Sequence, residues 1–299
     1  MSICEHEATG DFAQERSPNT RRSGEWTAPF GYQVGPYVHS TKYEYRPGLY
    51  TPGEDGTFAQ NYQDVWFETL ARHNDWLEQP GFYLDLGAFH PWQCSNTALL
   101  DVKYNWAGIC VEPRHKISFA NRSCVLVNRP MSGPESNELV RMGGNGDEGS
   151  QIFGINHVGT HQIYEMITLN AVDLLNCVDL GRRKVAQMTQ PTRLNCEGVR
   201  GHVRVPNFIH LVSMDIEGAE YQLLQSWPWD QLKVAVFIIE NQGGNHNHQQ
   251  IRHLMMKQGY LLTHTENPGV DEFWVLPEYW HDSLATKEWR YHPGGSFGC

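Results

Sequence analysis

The sequence predicts an α/β fold in which helices cover both faces of a mainly parallel β-sheet. A C-terminal antiparallel hairpin completes this sheet. Apolar runs of strand length alternate with amphipathic segments, as in the run 81–86 followed by the segment 98–104. A Ser-Asn-Thr sequence directly before residue 98 is a helix start signal. Near the end of the chain, the alternating segments 260–264 and 272–276 flank Asn267-Pro268-Gly269, which indicates a hairpin.

Length and composition limit the function classes. The chain has 299 residues, and its 40% apolar content suffices for one large core. Its formal net charge of −11 makes nucleic acid an unfavourable partner. The seven cysteines are odd in number and form no CxxC pair, which argues against a disulfide framework or a zinc ribbon and favours a reducing compartment. No apolar run can cross a bilayer, so we expect a soluble, cytoplasmic protein, or a lumenal one if an upstream anchor has been removed.

One domain with extensions is the expected organisation. Residues 1–57 form an irregular arm rich in Tyr, Gly and Pro, residues 58–278 form the main domain, and 279–299 form a tail. Inserted loops are expected at about 129–165 and 179–206. The second of these loops is basic within an acidic chain, and we expect it to hold an anionic substrate or to cover the site. A solvated loop is the plain alternative.

The run 81–86 and the turn after it form the first candidate ligand site. In open α/β sheets, ligands bind at the carboxyl ends of parallel strands, where backbone N–H groups and a helix N-terminus converge. Asp85 lies at that end, just before Gly87 and Ala88. The next predicted strand ends in Glu112, about 25 residues after Gly87, where an acid can accept both ribose hydroxyls of a nucleoside.

The loop after Gly87 discriminates between nucleoside cofactors. A dinucleotide site needs the pattern G-x-G-x-x-G, whereas this loop carries the bulky residues Phe89, His90 and Trp92. Two acidic strand ends and a single glycine suit S-adenosylmethionine better, because that cofactor has no phosphate to bind. A nicotinamide-dependent oxidoreductase and a purely structural turn stay open as alternatives.

Two further apolar runs, before residue 215 and over 234–239, also end in polar side chains. The residues at these strand ends are Asp215, Glu217, Glu240 and Asn241. Because the carboxyl ends of parallel strands meet at one edge of a sheet, we expect these side chains to converge there. A parallel sheet closed by a terminal hairpin is the usual shape of class I methyltransferases.

Several short motifs over about 58–276 together resemble the FkbM family of S-adenosylmethionine-dependent methyltransferases. They are Gln60-Asn61-Tyr62-Gln63-Asp64, Asp85-Leu86-Gly87-Ala88, His90-Pro91, Ser95-Asn96-Thr97, Trp106-Ala107-Gly108-Ile109, Asn121-Arg122-Ser123-Cys124, Asp215-Ile216-Glu217-Gly218-Ala219-Glu220 and Glu240-Asn241. The resemblance implies a Rossmann-like class I methyltransferase fold and methyl transfer, commonly to a hydroxyl of a sugar or natural product. The candidate cofactor-binding residues are Asp85, Gly87, Ala88, His90, Ser95, Asn96, Thr97, Glu112 and Asp215.

Methyl transfer to a hydroxyl requires that the protein orient the acceptor oxygen and remove its proton. The candidate catalytic residues are His246, Glu217 and Asp215, with His90 as a further candidate base. His246 is preferred, because the loop that carries it should overhang the methyl group and histidine has a suitable unperturbed pKa. In an alternative mechanism, Asp215, Glu240 and Asn241 hold a divalent cation, Mg²⁺ or Ca²⁺, which lowers the pKa of the acceptor hydroxyl.

The expected partner is a small-molecule or glycan acceptor, and the basic segment makes an anionic acceptor one candidate. Assembly into a homo-oligomer is left open. A catalytically silent module that binds glycans through the aromatic arm is the remaining alternative function.

Overall fold

The computed structural model describes residues 57–114, 119, 122–144, 151–152, 162–190, 194–241, 247–265 and 271–285. Several expectations lie outside these residues: the arm before residue 57, the preferred base His246, and the tail beyond residue 285. The division of the chain into arm, domain and tail stays a prediction.

Ten strands and seven α-helices are described. The strands are β1 (Phe82–Leu86), β2 (Ala107–Val111), β3 (Val125–Val127), β4 (Leu139–Gly144), β5 (Gln151–Ile152), β6 (Gln162–Ile167), β7 (Phe208–Met214), β8 (Lys233–Glu240), β9 (Leu261–Thr265) and β10 (Asp271–Val275). The helices are α1 (Gln63–His73), α2 (Ala98–Tyr104), α3 (Ala171–Val178), α4 (Leu180–Thr189), α5 (Glu220–Gln225), α6 (His248–Lys257) and α7 (Asp282–Ala285).

Seven of these strands form the central sheet, in the order β3-β2-β1-β7-β8-β10-β9. The strands from β3 to β8 run parallel, while β10 runs antiparallel to both β8 and β9. The predicted fold class is therefore confirmed. Because the chain leaves the sheet at β3 and returns beside β1 at β7, the strand order reverses between β1 and β7, where ligands of such sheets bind.

The alternation of side chains along β1 divides the core into two layers. Phe82, Leu84 and Leu86 pack on one face of the sheet, in a cluster that includes α3, α5 and α6. Tyr83 packs on the other face, together with residues of α1 and α2. Because side chains alternate with a period of two, Asp85 lies on the face of Tyr83 and is directed toward α2.

A second, three-stranded antiparallel sheet, with the order β5-β4-β6, occupies part of the segment expected to be an inserted loop. Residues 129–165 show no apolar core pattern, and Leu139 in β4 is exposed. The sheet has a small apolar cluster of its own, formed by Met142 and Met166 with Val140 against them. Strand β6 is an edge strand of this small sheet.

The prediction that the cysteines form no disulfide framework is wrong. Cys110 in β2 bonds to Cys124 just before β3, and both residues are fully buried between neighbouring strands. Cys177 in α3 bonds to Cys196. The odd number of cysteines and the lack of a CxxC pair did not reveal these bonds. The two cysteines of each pair are separated in sequence and are brought together only by strand pairing and helix packing.

The basic segment after Asp179 contains a helix, α4, where a loop was expected. The Asp179 carboxylate caps this helix by accepting from the N–H groups of Gly181 and Arg182. It also accepts from the N–H of Val205, at 2.9 Å. Arg182 donates to the Asn207 side chain, which lies at the amino end of β7. The helix therefore starts at the end of the sheet opposite Asp215, and it does not cover the predicted site.

None of the helices described is long and apolar enough to span a bilayer.

Candidate active site

A cavity of about 190 Å³ opens at the carboxyl ends of the central strands, around the reversal of strand order. Carboxylates dominate its lining: Asp85, Glu112, Asp215, Glu217, Glu240 and Asp271. Among the described residues that line it, only Arg114 is a cation. The cavity therefore carries a strongly negative potential that favours a cationic ligand.

The turn after β1 is held by close approach of two strand ends. Gly87 has φ +82°, and a Cβ atom at this position would lie 1.6 Å from the carbonyl oxygen of Asp215. A glycine is needed here for both its conformation and its lack of a side chain. The N–H groups of Gly87 and Ala88 both donate to the Val111 carbonyl, at 3.0 and 2.9 Å, so they tie the turn to β2 instead of pointing at a ligand.

Asp85 is buried behind this turn, with its carboxylate at the cavity wall. Burial raises its pKa to about 6, against the opposing effect of a hydrogen bond from the Thr97 hydroxyl, at 2.5 Å. Ionised Asp85 accepts hydrogen bonds, so it can receive a hydroxyl or a cationic group of a ligand. Its charge is thus present at neutral pH and is reduced in mild acid.

Arg122 is the centre of a buried network that fixes Asp85 from behind. It forms an ion pair with Asp101 at 2.5 Å, in which both side chains are fully buried. It also donates to the hydroxyls of Thr97, at 2.7 Å, and Tyr83, at 3.1 Å. Because Thr97 accepts from Arg122, its own proton is available for Asp85.

Glu112 lies at the end of β2, as predicted, and is tied down by its neighbour. The backbone N–H and Nε of Arg114 donate to one Glu112 oxygen, at 3.0 and 2.8 Å. Burial raises the Glu112 pKa, while Arg114 and the Phe89 N–H act to lower it. Arg114 also donates to the Phe89 carbonyl, so it links the cavity loop to the β2 end.

The loop before α2 serves mainly to support the site. The Ser95 hydroxyl caps the helix by accepting from the N–H groups of Thr97 and Ala98. Asn96 donates to the Ser213 hydroxyl on β7, at 2.9 Å.

His90 is not among the residues that line the cavity. Its Nδ1 accepts from the Trp92 and Gln93 N–H groups, and burial lowers its pKa to about 4.

Asp215 and Glu240 lie at the ends of adjacent strands, and their carboxyl groups are hydrogen-bonded to each other. Two carboxyl groups in such contact share a proton. Burial, Glu240 and then Glu217 raise the pKa of Asp215 well above its usual value, even though the Asp215 side chain is open to the cavity. The protonated form of Asp215 is therefore favoured relative to that of an isolated aspartic acid.

The predicted cation ligands come together in part. Asp215 and Glu240 lie with Glu220 in a group whose oxygens are all within 4.8 Å of one another. One Glu220 oxygen already accepts from the N–H groups of Ile216 and Gly218, and burial raises the Glu220 pKa to about 7. The Asn241 side-chain nitrogen donates to the His248 carbonyl, while its buried Oδ1 has no hydrogen-bond partner among the described residues.

Sequence reasoning assigned no role to several residues that build the site. Arg114 and Arg122 were not selected, because the sequence does not show that their side chains fold back onto Glu112 and Thr97. Asp271 had a usable signal: it begins an antiparallel strand, so it pairs with Glu240 at the carboxyl end of β8. Its carboxylate accepts from Gln63 at 2.7 Å.

Comparison with known proteins agrees with this geometry. The family model described as the methyltransferase FkbM domain matches residues 85–262, which is more than half of the chain. Neither the curated proteins nor the solved structures include a significant match to the chain. The matched region starts at Asp85 and includes the Glu112, Asp215 and Glu240 strand ends. Of the residues that line the cavity, Gln60, Gln63 and Asp271 lie outside it. The chain belongs to the FkbM methyltransferase family.

Proposed function

We propose that the protein transfers a methyl group from S-adenosylmethionine to a hydroxyl of a sugar, glycan or small natural product. The observation that carries this proposal is the acidic cavity at the reversal of strand order, in a chain of the FkbM family. S-adenosylmethionine supplies a methyl group on a cationic sulfonium.

The residues present fit this cofactor. Ionised Asp85 and Glu112 are hydrogen-bond acceptors at the ends of adjacent strands, and they suit the amino and ribose hydroxyl groups of the cofactor. The surrounding carboxylates favour its positive charge. A nicotinamide dinucleotide is disfavoured, because its two phosphates would meet these carboxylates and no free pair of turn N–H groups.

Asp215 is the proton acceptor in this proposal, and Glu240 is its positioning partner. A carboxylate is a better base when burial and a neighbouring acid raise its pKa, as they do here. Glu217 also lines the cavity, in a left-handed conformation with φ +58°, and is the second candidate base. His246 stays a prediction, because it lies outside the described residues.

The charges that line the cavity also indicate which charge the acceptor should carry. An anionic acceptor was expected from the basic segment, but α4 contributes no residue to the cavity. An acceptor that is uncharged or cationic near its reacting hydroxyl agrees better with six carboxylates and one paired arginine.

A divalent cation is the alternative occupant of the Asp215 and Glu240 pair. It would replace the shared proton and polarise the acceptor hydroxyl. Asn241 Oδ1 accepts no hydrogen bond from the described residues and so fits such a site. The hydrogen bonds that the Asn241 amide nitrogen and Glu220 already make do not require a cation. Turnover measured after chelation and after addition of Mg²⁺ or Ca²⁺ distinguishes the two.

The disulfides favour an oxidising compartment over the cytoplasm that the sequence led us to expect. Cys110–Cys124 and Cys177–Cys196 both staple the central domain. Structural disulfides of this kind persist in secreted and lumenal proteins and are rare in the cytosol.

The test is transfer of radiolabelled methyl groups to a panel of neutral, cationic and anionic sugars and glycans. We expect Asp215→Asn to reduce turnover by about 100-fold or more with little change in cofactor affinity, as for loss of a general base. Asp75→Asn, which changes an exposed acid outside the cavity, serves as the control. Full turnover in Asp215→Asn would exclude Asp215 as the base, and no transfer to any acceptor by the wild type would count against O-methylation.

A further inference from the structure

Helix α4 is a basic element that the proposed reaction does not use. Its first turn contacts Asn207, and about eight residues of extended chain, or about 25 Å, separate Asn207 from Asp215 in the cavity. No residue of α4 lines the cavity. The helix is held in place by its Asp179 cap and by the Cys177–Cys196 disulfide beside it.

One face of α4 exposes large apolar side chains. Leu180, Val185 and Met188 are 57%, 62% and 81% exposed, and α4 has no buried residue. At about 100° per residue, these three side chains lie within an arc of about 140°. Such exposure of apolar side chains on a capped helix is typical of a face that binds a protein or a membrane.

Basic residues accompany this apolar face. By the same helical angle, exposed Lys184 lies within the arc, and Arg182 and Arg183 flank it about 60° beyond either side. Both arginines donate to neutral oxygens, those of the Asn207 side chain and the Cys177 carbonyl. No carboxylate in the described part of the chain pairs with these cations. Their charge is therefore uncompensated, in a chain whose net charge is −11.

We propose that α4 docks the protein on an anionic lipid surface, lying in the interface with Leu180, Val185 and Met188 inserted among the lipids. A membrane interface accepts both components of this face, because its headgroups attract the cations and its acyl boundary takes the apolar side chains. The long Lys184 side chain reaches the headgroups from within the apolar arc. A soluble polyanion would leave the exposed Met188 without a partner.

This orientation keeps the enzyme accessible. The first turn of α4 lies at the amino ends of the strands and the cavity at their carboxyl ends, so a protein docked through α4 leaves the cavity free for its acceptor. The negative charge of the remainder of the chain opposes close contact elsewhere, which restricts attachment to this helix.

The test is co-sedimentation of the full chain with vesicles of phosphatidylcholine alone and of phosphatidylcholine with phosphatidylserine. We expect sedimentation with the anionic vesicles only, and a decrease when salt is added. Val185→Ser/Met188→Ser should lower partitioning about tenfold or more, and Lys184→Gln about fivefold. Met256→Ser removes an apolar residue of α6 that is 59% exposed, close to the value for Val185, and should leave partitioning unchanged. Cofactor affinity should be unchanged in all variants, which separates this test from that of the proposed reaction.

Three results would overturn the proposal. The first is equal partitioning of the wild type and the Val185→Ser/Met188→Ser variant. The second is self-association in the absence of vesicles that Met188→Ser abolishes, since a second copy would then cover the face. The third is retention on immobilised heparin that Lys184→Gln weakens, without binding to either type of vesicle, since the partner would then be a soluble polyanion.

Discussion

The Thr97 hydroxyl lies 2.5 Å from the Asp85 carboxylate and accepts a hydrogen bond from Arg122 on its other side. This arrangement commits the Thr97 proton to Asp85. It opposes the effect of burial on the Asp85 pKa, so that Asp85 stays largely ionised at neutral pH.

Thr97→Val should therefore raise the Asp85 pKa above about 6 and weaken cofactor binding most in mild acid. At pH 6, we expect a loss of affinity of about three- to tenfold, and the loss should shrink toward pH 8, where Asp85 is ionised in both proteins. Thr97→Ser keeps the hydroxyl and should behave as the wild type. Calorimetric affinities measured across this range check the prediction, and a loss that does not depend on pH would contradict it.

Gly87→Ala should disrupt both the fold and the site. The new Cβ would overlap the Asp215 carbonyl oxygen in a backbone conformation that already disfavours side chains, so we expect a loss of more than about 4 kcal/mol in the free energy of unfolding. Gly259→Ala is the matched control. Gly259 has φ +87°, and nothing lies within 4 Å of the added atom. Gly259→Ala should therefore lower the free energy of unfolding by about 1 kcal/mol, from backbone strain alone. Equal losses in urea denaturation would show that the contact with Asp215 is unimportant.

Removal of the buried disulfide by Cys110→Ala/Cys124→Ala should destabilise the chain by about 3 kcal/mol or more. The bond closes a loop with a sequence separation of 14, and the substitution also leaves a void between strands. Urea denaturation with and without dithiothreitol measures this effect. The wild type should lose stability in the reductant, and the double variant should lose less. A wild type that is insensitive to reduction would contradict a structural role for these bonds.

His210 should make the protein sensitive to acid. It accepts from the Phe82 N–H at 3.2 Å and lies against Trp106, and burial lowers its pKa to about 4. The unfolded chain binds a proton near pH 6.5 and the folded one does not, so this contribution to stability is complete above that pH and is lost as the pH falls toward 4.

The variant His210→Asn keeps a hydrogen-bond acceptor but has no ionisable ring. Its free energy of unfolding should change less than that of the wild type between pH 7 and 4, by about 1–3 kcal/mol. Parallel slopes in the two proteins would contradict neutral burial of His210.

The sequence was sufficient for the main sheet, because strands such as β1 and β8 are continuous apolar runs that end in turns. It also located Asp85, Glu112 and Asp215 at the strand ends, since their place follows from strand polarity alone. The sequence was insufficient for features whose structure depends on tertiary contacts. The cysteine pairs, the fold of α4 and the return of Arg122 onto Thr97 depend on which elements pack together, and local patterns do not report this.

The assignment of the acidic cavity as the methyl-donor site predicts selective binding of S-adenosyl nucleosides over a dinucleotide, and this can be measured directly. Calorimetric titration of the wild-type chain with S-adenosylmethionine, S-adenosylhomocysteine and NAD, with Asp85→Asn as the comparison, tests it. We predict binding of the first two ligands, no binding of NAD, and an affinity for S-adenosylmethionine that falls about tenfold or more in Asp85→Asn, by loss of a charged hydrogen bond. Binding of NAD, or affinity for S-adenosylmethionine that is equal in both proteins, would contradict the assignment of this cavity as the methyl-donor site.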